Sequence, residues 1–442
     1  MPEEISGYYT PHYHFKTQLF KIIKRNWPAF KTAYPERYQN RLGELKKYQI
    51  TTVEKFLACS NPHNGFSYVA CTKDSCNHHY VVPFSCHTEI CPSCSEKNVL
   101  EYSDWLTSEV LFNVSHKHTV LTLPKELREY FRIEPKLLGY LAKNAGKMLI
   151  HLSRESAKGV YSKPKHIIDI PDDAMPGIIV RIETAGGDLQ FNSHLHCLES
   201  CGCYSPRDDE DNYFPSPYIP YKVLRRAWMN SVLRLLVNFK KISTTIADGI
   251  KAKYPNGFNV NSTIRDHTGD KELMYRQAQY IQKAPLSEMR IVNYNTNTEM
   301  VTIRFRRKDF DSNHKGYSFA TISAFELIAR LIQHIHYPFM HYTHYYGQYS
   351  VRRRGMRRKQ QKKSNPNETG KNRTGYRSSW AKLIWKVYGV NPLLCPVCGS
   401  VMKVTLIVTK NVEQKLKQLN INVWYYSLNN EVHKIVKARD SP

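Results

Sequence analysis

The sequence lacks several features that define large classes of protein. It has no run approaching the roughly 18 apolar residues of a membrane span, and its opening Met-Pro-Glu-Glu does not begin a signal peptide. We therefore expect a cytoplasmic protein whose reduced cysteines bind metal instead of forming disulfides. The Gly-x4-Gly-Lys-Ser/Thr loop of helicases is missing from the sequence, as is any internal repeat.

Acidic residues are scarce beside basic ones. Lys and Arg number 64 against 38 Asp and Glu, which gives a formal net charge of +26. Such an excess points to a polyanionic partner, usually nucleic acid, and the alternative is a solvated basic surface. Hydrophobic residues are 41% of the 442 and aromatic residues 12%. This composition excludes a disordered chain, and the length predicts two or three domains.

The spacing of apolar residues divides the chain into helical and strand-like segments. Helical periodicity predicts helices over 12–58, 96–112, 222–240, 270–283 and 321–336. Alternation predicts strands at His118–Leu123, at Met300–Phe305, and on both sides of Gly186-Gly187 within Gly177–Leu198. We therefore predict four units: a helical, cysteine-rich module over 1–112, a mixed domain over 113–345, a basic arm or linker over 346–378, and a small C-terminal unit over 379–442.

Six cysteines are concentrated in the N-terminal module: Cys59, Cys71, Cys76, Cys86, Cys91 and Cys94. Cys71/Cys76 and Cys91/Cys94 are two close pairs about 15 residues apart. Paired thiols with a short connection are typical of tetrahedral structural zinc. Cys59 and Cys86 remain, and either they form a second site with nearby histidines or one of them replaces a member of the first four. We therefore predict one or two structural zinc ions.

A further cysteine pair lies in the C-terminal unit, in the segment Cys395-Pro-Val-Cys398-Gly. This spacing is typical of a zinc knuckle, but no second pair is close to it in sequence. Its partners are either His433, Cys201 and Cys203, or the spare Cys59 and Cys86. A turn without metal is the other interpretation.

Two histidines share one face of a predicted strand that ends at Leu198. Because side chains alternate along a strand, Leu195 and Cys197 point into a core, and His194 and His196 point to the other side. Imidazoles two residues apart on one face can chelate a single cation. The preceding segment Ile178–Glu183 is expected to pair with this strand as an antiparallel neighbour.

Two tyrosines, Tyr275 and Tyr280, lie on the predicted helix 270–283. Positions five apart differ by roughly 140° around a helix, so the two phenols do not easily reach one target. Met274, Ala278 and Ile281 are expected to form its buried stripe. A phenol is a poor nucleophile at neutral pH, and it needs a nearby cation or base to be activated.

Several blocks resemble the HUH-endonuclease transposases of rolling-circle insertion sequences, named for a His-hydrophobic-His motif. The resemblance runs from about residue 45 to 408. It rests on Cys86-x4-Cys91-Pro-x-Cys94, on Phe191–Leu198, on the segment from Tyr280 to Ile291, on His344–Ser350 with the arginines after it, and on Leu394–Gly399 with Met402. It implies an α+β fold in which helices flank an antiparallel-sheet endonuclease core, between the zinc-binding N-terminal module and the C-terminal knuckle unit.

The resemblance also implies a chemistry. Tyr280 would attack a phosphate of single-stranded DNA at an element's end or at its target, forming a 5′-phosphotyrosine link and a free 3′-OH. Mg²⁺ or Mn²⁺ on His194 and His196 would assist, with Gln277 as the expected third ligand and Gln282 or Glu183 as alternatives. Many members carry two tyrosines four positions apart, but here Arg276 precedes Tyr280 by four. This favours a single nucleophile, with Tyr275 as a second candidate. The resemblance also implies a bacterial protein that is associated with the nucleoid in the cytoplasm.

A basic run follows, and we expect it to contact DNA phosphates. Its candidate DNA-binding residues are Arg352, Arg353, Arg354, Arg357, Arg358 and Lys359. Two other functions remain open: a non-catalytic zinc-dependent DNA-binding protein, and a replication initiator or relaxase with the same chemistry. A transposase with three catalytic carboxylates is less favoured, because nothing in the sequence singles out such a triad.

Overall fold

The computed structural model describes residues 17–162, 167–205, 212–216, 218–264, 271–281, 284–306, 316–364, 381, 391–419, 425–426 and 433–434. Its helices are α1 (Gln18–Arg37), α2 (Gln39–Leu42), α3 (Lys47–Leu57), α4 (Pro92–Glu109), α5 (Lys125–Ile133), α6 (Lys136–Ala157), α7 (Tyr221–Asn238), α8 (Thr244–Lys253), α9 (Lys271–Ile281), α10 (Ala324–Leu331), α11 (Val351–Ser364) and α12 (Val412–Gln418). Short 3-10 helices cover Pro62–Asn64, Glu288–Arg290 and Ile332–His334. In these ranges, every helix is too short or too polar to cross a membrane.

The strands are β1 (Phe66–Cys71), β2 (His79–Pro83), β3 (His116–Thr122), β4 (Met175–Ala185), β5 (Phe191–Ser205), β6 (Asn212–Pro215), β7 (Val260–Ile264), β8 (Ile291–Asn295), β9 (Met300–Arg306), β10 (Tyr317–Ser323), β11 (Thr343–Gly347), β12 (Met402–Val408), β13 (Tyr425–Tyr426) and β14 (His433–Lys434). All strand pairs are antiparallel in the part of the chain that is described. The mixture of helices with antiparallel sheets confirms the predicted α+β class.

The largest sheet has the strand order β11-β4-β5-β3-β7, and β6 pairs with the far end of β5. Its centre is the long β4–β5 hairpin, in which Glu183 lies opposite His194 and Arg181 lies opposite His196. This register is the antiparallel pairing predicted from the sequence. It fixes which side chains stand beside the two histidines.

One face of this sheet carries the main hydrophobic core. Leu195 and Cys197 are fully buried there, against α6, α7 and neighbouring helices. Trp228 on α7 is fully buried in this core, and its indole nitrogen donates a hydrogen bond of 2.8 Å to the Thr122 carbonyl. The bond satisfies the one polar atom of a large apolar side chain. The sheet therefore leaves its other face available for polar chemistry.

The N-terminal helices pack against a second sheet, with the strand order β10-β9-β8. Val301 and Ile303 on β9 are fully buried in a core that they share with α1, α3 and α10. The sequence predicted their alternation correctly. It predicted helix over 12–58, of which the described part divides into α1, α2 and α3, and Gly43 at φ +79° ends α2.

A third sheet joins segments that are far apart in sequence. Its order is β12-β1-β2, so that β12 near the C-terminus pairs with β1 of the N-terminal module. The sequence assigned these segments to two separate units. In the structure they form one small subdomain.

Candidate active site and metal centres

His194 and His196 lie on the face of the central sheet opposite to the main core. Both side chains are half-buried, whereas Leu195 and Cys197 between and beside them are fully buried. The two imidazole centroids are 4.9 Å apart and the rings are inclined by 63°. The alternation predicted from sequence therefore brings two metal-ligating side chains together.

A hydrogen bond sets the tautomer of His194. Its Nδ1 lies 2.7 Å from the Asn192 carbonyl oxygen, and because a carbonyl only accepts, Nδ1 carries the proton. The neutral ring then has its lone pair on Nε2. This is the arrangement in which a metal-binding histidine is held by an outer partner.

His118 on β3 is a third histidine of this face, which was not among the site residues predicted from the sequence. Its Nε2 lies 2.9 Å from Nδ1 of His196, and the two rings stack at 5.1 Å with an interplanar angle of 11°. When Nδ1 of His196 donates in this bond, Nε2 of His196 carries the lone pair, as in His194. The strand predicted at His118–Leu123 contained the signal, because alternation places His118 on the same face as Val120, the residue opposite His196.

An acidic and a basic side chain, Glu183 and Arg181, lie on β4 directly opposite the two histidines of β5. Arg181 Nε lies 3.2 Å from Glu183 Oε1, and Arg181 also donates to Thr343 Oγ1 at 3.1 Å. The Glu183 carboxylate is thus engaged by a guanidinium. Among described residues, the groups of three or more clustered Cys, His, Asp or Glu ligand atoms contain neither Glu183 nor the histidines.

Helix α9, which carries the candidate tyrosines, packs on the histidine face and contacts α4 and β5. Ala278 is fully buried in a small cluster with Leu198, two positions beyond His196 on the same side of β5. Met274 is also buried, as predicted, whereas Ile281 lies outside the described side chains. The helix is therefore placed on the correct side of the sheet for joint action with the histidines.

Gln277 is 7% exposed on α9, and neither atom of its side-chain amide has a hydrogen-bond partner among the described residues. An orphaned buried amide costs about 1–3 kcal/mol, so its presence calls for an explanation. Asn192 Oδ1, on the histidine side of β5, is a second buried oxygen without a partner in the described part. Oxygen donors of this kind suit Mg²⁺ and Mn²⁺.

Of the two candidate nucleophiles, the structure describes the side chain of Tyr275 but only the backbone of Tyr280. The Tyr275 side chain is half-buried and its hydroxyl is fully buried. Tyr280 belongs to α9, but its side chain lies outside the described residues, as do Gln282 and Lys283. The choice between Tyr280 and Tyr275 therefore stays a prediction.

Four cysteines of the N-terminal module form one compact cluster: Cys59, Cys86, Cys91 and Cys94. Sγ of Cys94 lies 3.6 Å from the sulfurs of Cys59 and Cys86, and Cys91 lies 3.9 Å from Cys59. These distances fit a tetrahedral zinc site, in which Zn–S bonds of about 2.3 Å separate the sulfurs by about 3.8 Å. Cys91 caps α4 and Cys94 lies in its first turn, so the cluster anchors the helix that holds α9.

This grouping corrects one sequence interpretation. Cys71 and Cys76 do not cluster with Cys91 and Cys94. Because β1 pairs with β12, Cys71 at the end of β1 and Cys76 after it lie beside Cys395 and Cys398. The knuckle's partners are therefore neither Cys201 and Cys203 nor Cys59 and Cys86. The side chain of His433, the other predicted partner, lies outside the described residues. Sequence spacing misled here because the true partners are more than 300 positions apart.

The basic run begins as a helix, α11, rather than as a linker. Arg354 lies over the rings of Trp105 and Tyr345 at 5.1 and 4.9 Å, and Arg357 lies over Phe112 at 4.6 Å. Arg358 forms a 3.3 Å salt bridge with Glu109. Arg354 and Arg357 fasten α11 to the region of α4, and Arg358 adds a surface ion pair, whereas the exposed Arg352 and Lys359 make no such contact among the described residues.

The tyrosines that precede α11 are structural. Tyr349 is fully buried, and its hydroxyl lies 2.6 Å from His116 Nε2 and 3.2 Å from the Phe112 nitrogen. Tyr342 is also buried, and Tyr345 is half-buried beside Trp105. Gly347 has φ +55°, and a Cβ there would lie 1.9 Å from the Pro176 carbonyl oxygen, so only glycine fits the turn into α11.

Comparisons with known proteins agree with this arrangement. A family described as "Putative transposase" matches residues 177–357, and one described as "Transposase zinc-binding domain" matches residues 27–123. The first range contains both histidines and α9, and the second contains the cluster at Cys59–Cys94. Neither match extends to the C-terminal knuckle.

Two curated relatives cover most of the chain. "Transposase for insertion sequence element IS801" from Pseudomonas savastanoi pv. phaseolicola is 25% identical over 383 residues, which are 83% of this chain and 86% of the relative. "Putative transposase y4qJ" from Sinorhizobium fredii (strain NBRC 101917 / NGR234) is 23% identical over 346 residues, 73% of this chain and 79% of the relative. No solved structure matches the chain.

These matches and the site define a DNA transposase with a zinc-binding N-terminal domain. Both family matches and the IS801 relative are consistent with the resemblance to insertion-sequence transposases drawn from the sequence, and they confirm it at that level.

Proposed function

We propose that this transposase nicks and rejoins single-stranded DNA through a covalent 5′-phosphotyrosine link, in rolling-circle-type transposition. The observation that carries the proposal is the meeting of two elements on one sheet face. The histidine strand presents His194 and His196 there, and α9 brings the orphaned Gln277 amide and the tyrosine positions to the same face. Because the Gln277 amide has no hydrogen-bond partner among the described residues, a bound cation would explain its burial, whereas DNA binding without catalysis would not.

The residues present fit a divalent cation. His194 and His196 would bind it through Nε2, since Nδ1 of each ring is engaged in a hydrogen bond, and Gln277 would supply an oxygen. Glu183 is the less suitable third ligand, because Arg181 already neutralises it. Mg²⁺ or Mn²⁺ in this position would polarise the scissile phosphate.

Tyr280 is the proposed nucleophile. It follows Gln277 by three positions, about one turn along α9. Its phenol loses a proton, and the phenolate oxygen attacks phosphorus to form a phosphotyrosine ester. The P–O3′ bond breaks, and the leaving oxygen takes up a proton to become a 3′-OH. One phosphate ester replaces another, so the reverse attack by a 3′-OH rejoins the strand without a nucleotide cofactor.

The exposed part of α11 is the proposed DNA-binding surface. Arg352 and Lys359 project into solvent, and Arg353 is partly exposed. Arg354, Arg357 and Arg358 hold the helix against aromatic rings and Glu109, and so they position this surface. DNA bound here would lie near α4 and β11, which border the histidine face.

The decisive experiment is incubation of the full-length protein with labelled single-stranded oligonucleotides of the element's ends and Mn²⁺. We expect cleavage and a protein–DNA adduct whose digested peptide maps to Tyr280. Tyr280→Phe should abolish the adduct and keep DNA binding, whereas Tyr275→Phe should keep both. An adduct on another residue, or cleavage by Tyr280→Phe, would overturn the assignment. Binding without any cleavage would favour the non-catalytic DNA-binding function.

A further inference from the structure

A second cluster brings together two cysteines of the N-terminal module and two of the C-terminal unit: Cys71, Cys76, Cys395 and Cys398. Sγ of Cys71 lies 3.5 Å from Sγ of Cys398, and Sγ of Cys76 lies 3.7 Å from Sγ of Cys395. All four sulfurs lie within 4.8 Å of one another. Disulfide sulfurs are about 2.0 Å apart, whereas thiolates on tetrahedral zinc are about 3.8 Å apart, so the geometry is that of a metal site.

The backbone on both sides is shaped to present these thiols. Gly399 has φ +70°, and its nitrogen donates to the Cys395 carbonyl at 2.8 Å, which closes the knuckle turn. The Cys395 nitrogen donates to the Ser400 carbonyl at 2.8 Å. On the other side, the Lys73 nitrogen points at Cys71 Sγ at 3.4 Å. Such N–H groups aimed at sulfur favour the thiolate form that binds metal.

The strands next to the cluster complete the connection. β12 pairs with β1 over six residue pairs, from Phe66↔Val408 to Cys71↔Met402. Thr72 donates twice to the Val401 carbonyl, at 3.0 Å from its nitrogen and 2.8 Å from its hydroxyl. The hydroxyl of Tyr80 donates to the Pro392 carbonyl at 2.6 Å.

The apolar core that supports this subdomain is small. The buried members of its two clusters are Phe66, Val69, Cys395, Met402, Val408 and Leu416. One cysteine of the cluster, Cys395, is itself part of that core, and the other three pack against it. A few apolar side chains rarely hold a domain of this size by themselves, and a structural metal commonly supplies the missing free energy.

We propose that Cys71, Cys76, Cys395 and Cys398 bind a second structural zinc ion, which fastens the C-terminal segment 391–419 to β1 and β2. The ion is distinct from the one at Cys59, Cys86, Cys91 and Cys94. It belongs to two segments of the chain at once, so neither end forms the site alone.

Zinc content measures the proposal directly, by elemental analysis of purified full-length chains. We expect two zinc ions per wild-type chain, one in Cys398→Ser, and two in the matched control Cys201→Ser, whose cysteine lies outside both clusters. Cobalt substitution adds a readout, because Cys398→His should keep a bound ion and weaken the thiolate charge-transfer absorption. One zinc ion in wild-type protein, with Cys398→Ser unchanged, would overturn the proposal.

Hydrogen exchange checks the fastening independently of metal content. In Cys398→Ser, amides of β12 should exchange faster by at least tenfold, while those of β5 in the catalytic sheet stay as in wild type. Equal protection of β12 in both proteins would show that the thiols do not hold the segment. The proposal does not depend on DNA cleavage, so it can fail while the proposed function stands, and the reverse.

Discussion

His118 Nε2 lies 2.9 Å from Nδ1 of His196, and the two rings stack almost in parallel. In the proposed site, His118 would orient the ring of His196, whose other nitrogen would bind the cation. Outer partners of this kind typically change metal affinity by 10–100-fold when they are removed. His118 is 4% exposed, so its position is fixed by the sheet around it.

His118→Phe keeps a stacked ring and removes the nitrogen. We expect the Mn²⁺ concentration that gives half-maximal DNA cleavage to rise by about 10–100-fold. The maximal rate at saturating Mn²⁺ should change little. His151→Gln, at an exposed position on α6, is the matched control. An unchanged Mn²⁺ dependence in His118→Phe would exclude the orienting role.

Gln277 offers a test in which stability and activity change in opposite directions. Gln277→Leu removes a buried amide that has no hydrogen-bond partner among the described residues, so the free energy of unfolding should stay equal or rise by about 1 kcal/mol. The same variant should lose cleavage, and Gln277→Glu should retain it because a carboxylate oxygen also binds Mg²⁺ and Mn²⁺. Thermal unfolding and nicking assays measure the two effects. A destabilised but fully active Gln277→Leu would contradict the ligand role.

A buried ion pair supports the strand that carries the histidines. Lys117 Nζ lies 3.5 Å from Glu199 Oε2, and Glu199 is fully buried. Lys117→Met would leave a buried carboxylate unpaired, and we expect it to destabilise the catalytic domain by about 3–5 kcal/mol in chemical denaturation. The double variant Lys117→Met/Glu199→Leu should recover most of that loss. Equal stability of the single and double variants would show that the pair is not coupled.

His334 predicts how stability depends on pH. Burial lowers its pKa to about 4, and its ring bridges Thr184 Oγ1 and the Leu189 carbonyl. The unfolded histidine binds a proton below about pH 6.5, whereas the folded one stays neutral down to about pH 4. Stability is therefore lost as pH falls through this window, by about 2 kcal/mol between pH 7 and 5. His334→Gln should lack this component when unfolding is measured at both pH values.

The exposed cations of α11 should contribute to DNA affinity without regard to sequence. Each phosphate contact on single-stranded DNA adds about 0.7 to the slope of log affinity against log salt. Arg352→Ala and Lys359→Ala should each reduce the slope by about this amount and weaken all sequences equally. Lys136→Ala, on α6 across the central sheet, should change neither quantity. Unaltered slopes in the first two variants would place the DNA elsewhere.

The part of the site with local sequence signals was predictable. His194 and His196 needed only strand alternation, and the buried positions of Met274 and Ala278 needed only helical periodicity. His118 was missed because its role depends on β3 pairing beside β5, a contact about 80 positions away in sequence. Pairing between distant strands leaves no periodic trace in either segment.

The cysteines show the same limit more sharply. Spacing singled out the cysteines that cluster in the structure, but it could not show that Cys71 belongs with Cys398 rather than with Cys91. The pairing of β1 with β12 decides the grouping, and the sequence carries no sign of it. Likewise, the sequence predicted a basic arm or linker here, and it carried no sign that Arg354 packs against the rings of Trp105 and Tyr345.

The pairing of β1 with β12 also has a consequence for synthesis on the ribosome. Cys71 emerges 331 residues before Met402, its partner across the sheet. At about 5–20 residues per second, β1 must wait roughly 20–70 s for its neighbour. Until then the edge of β1 that pairs with β12 has no neighbour, and Cys71 and Cys76 lack the two cysteines with which they cluster in the folded chain. A chain that stops before β12 would lack this neighbour, so β1 completes its sheet only after the C-terminal segment has been made.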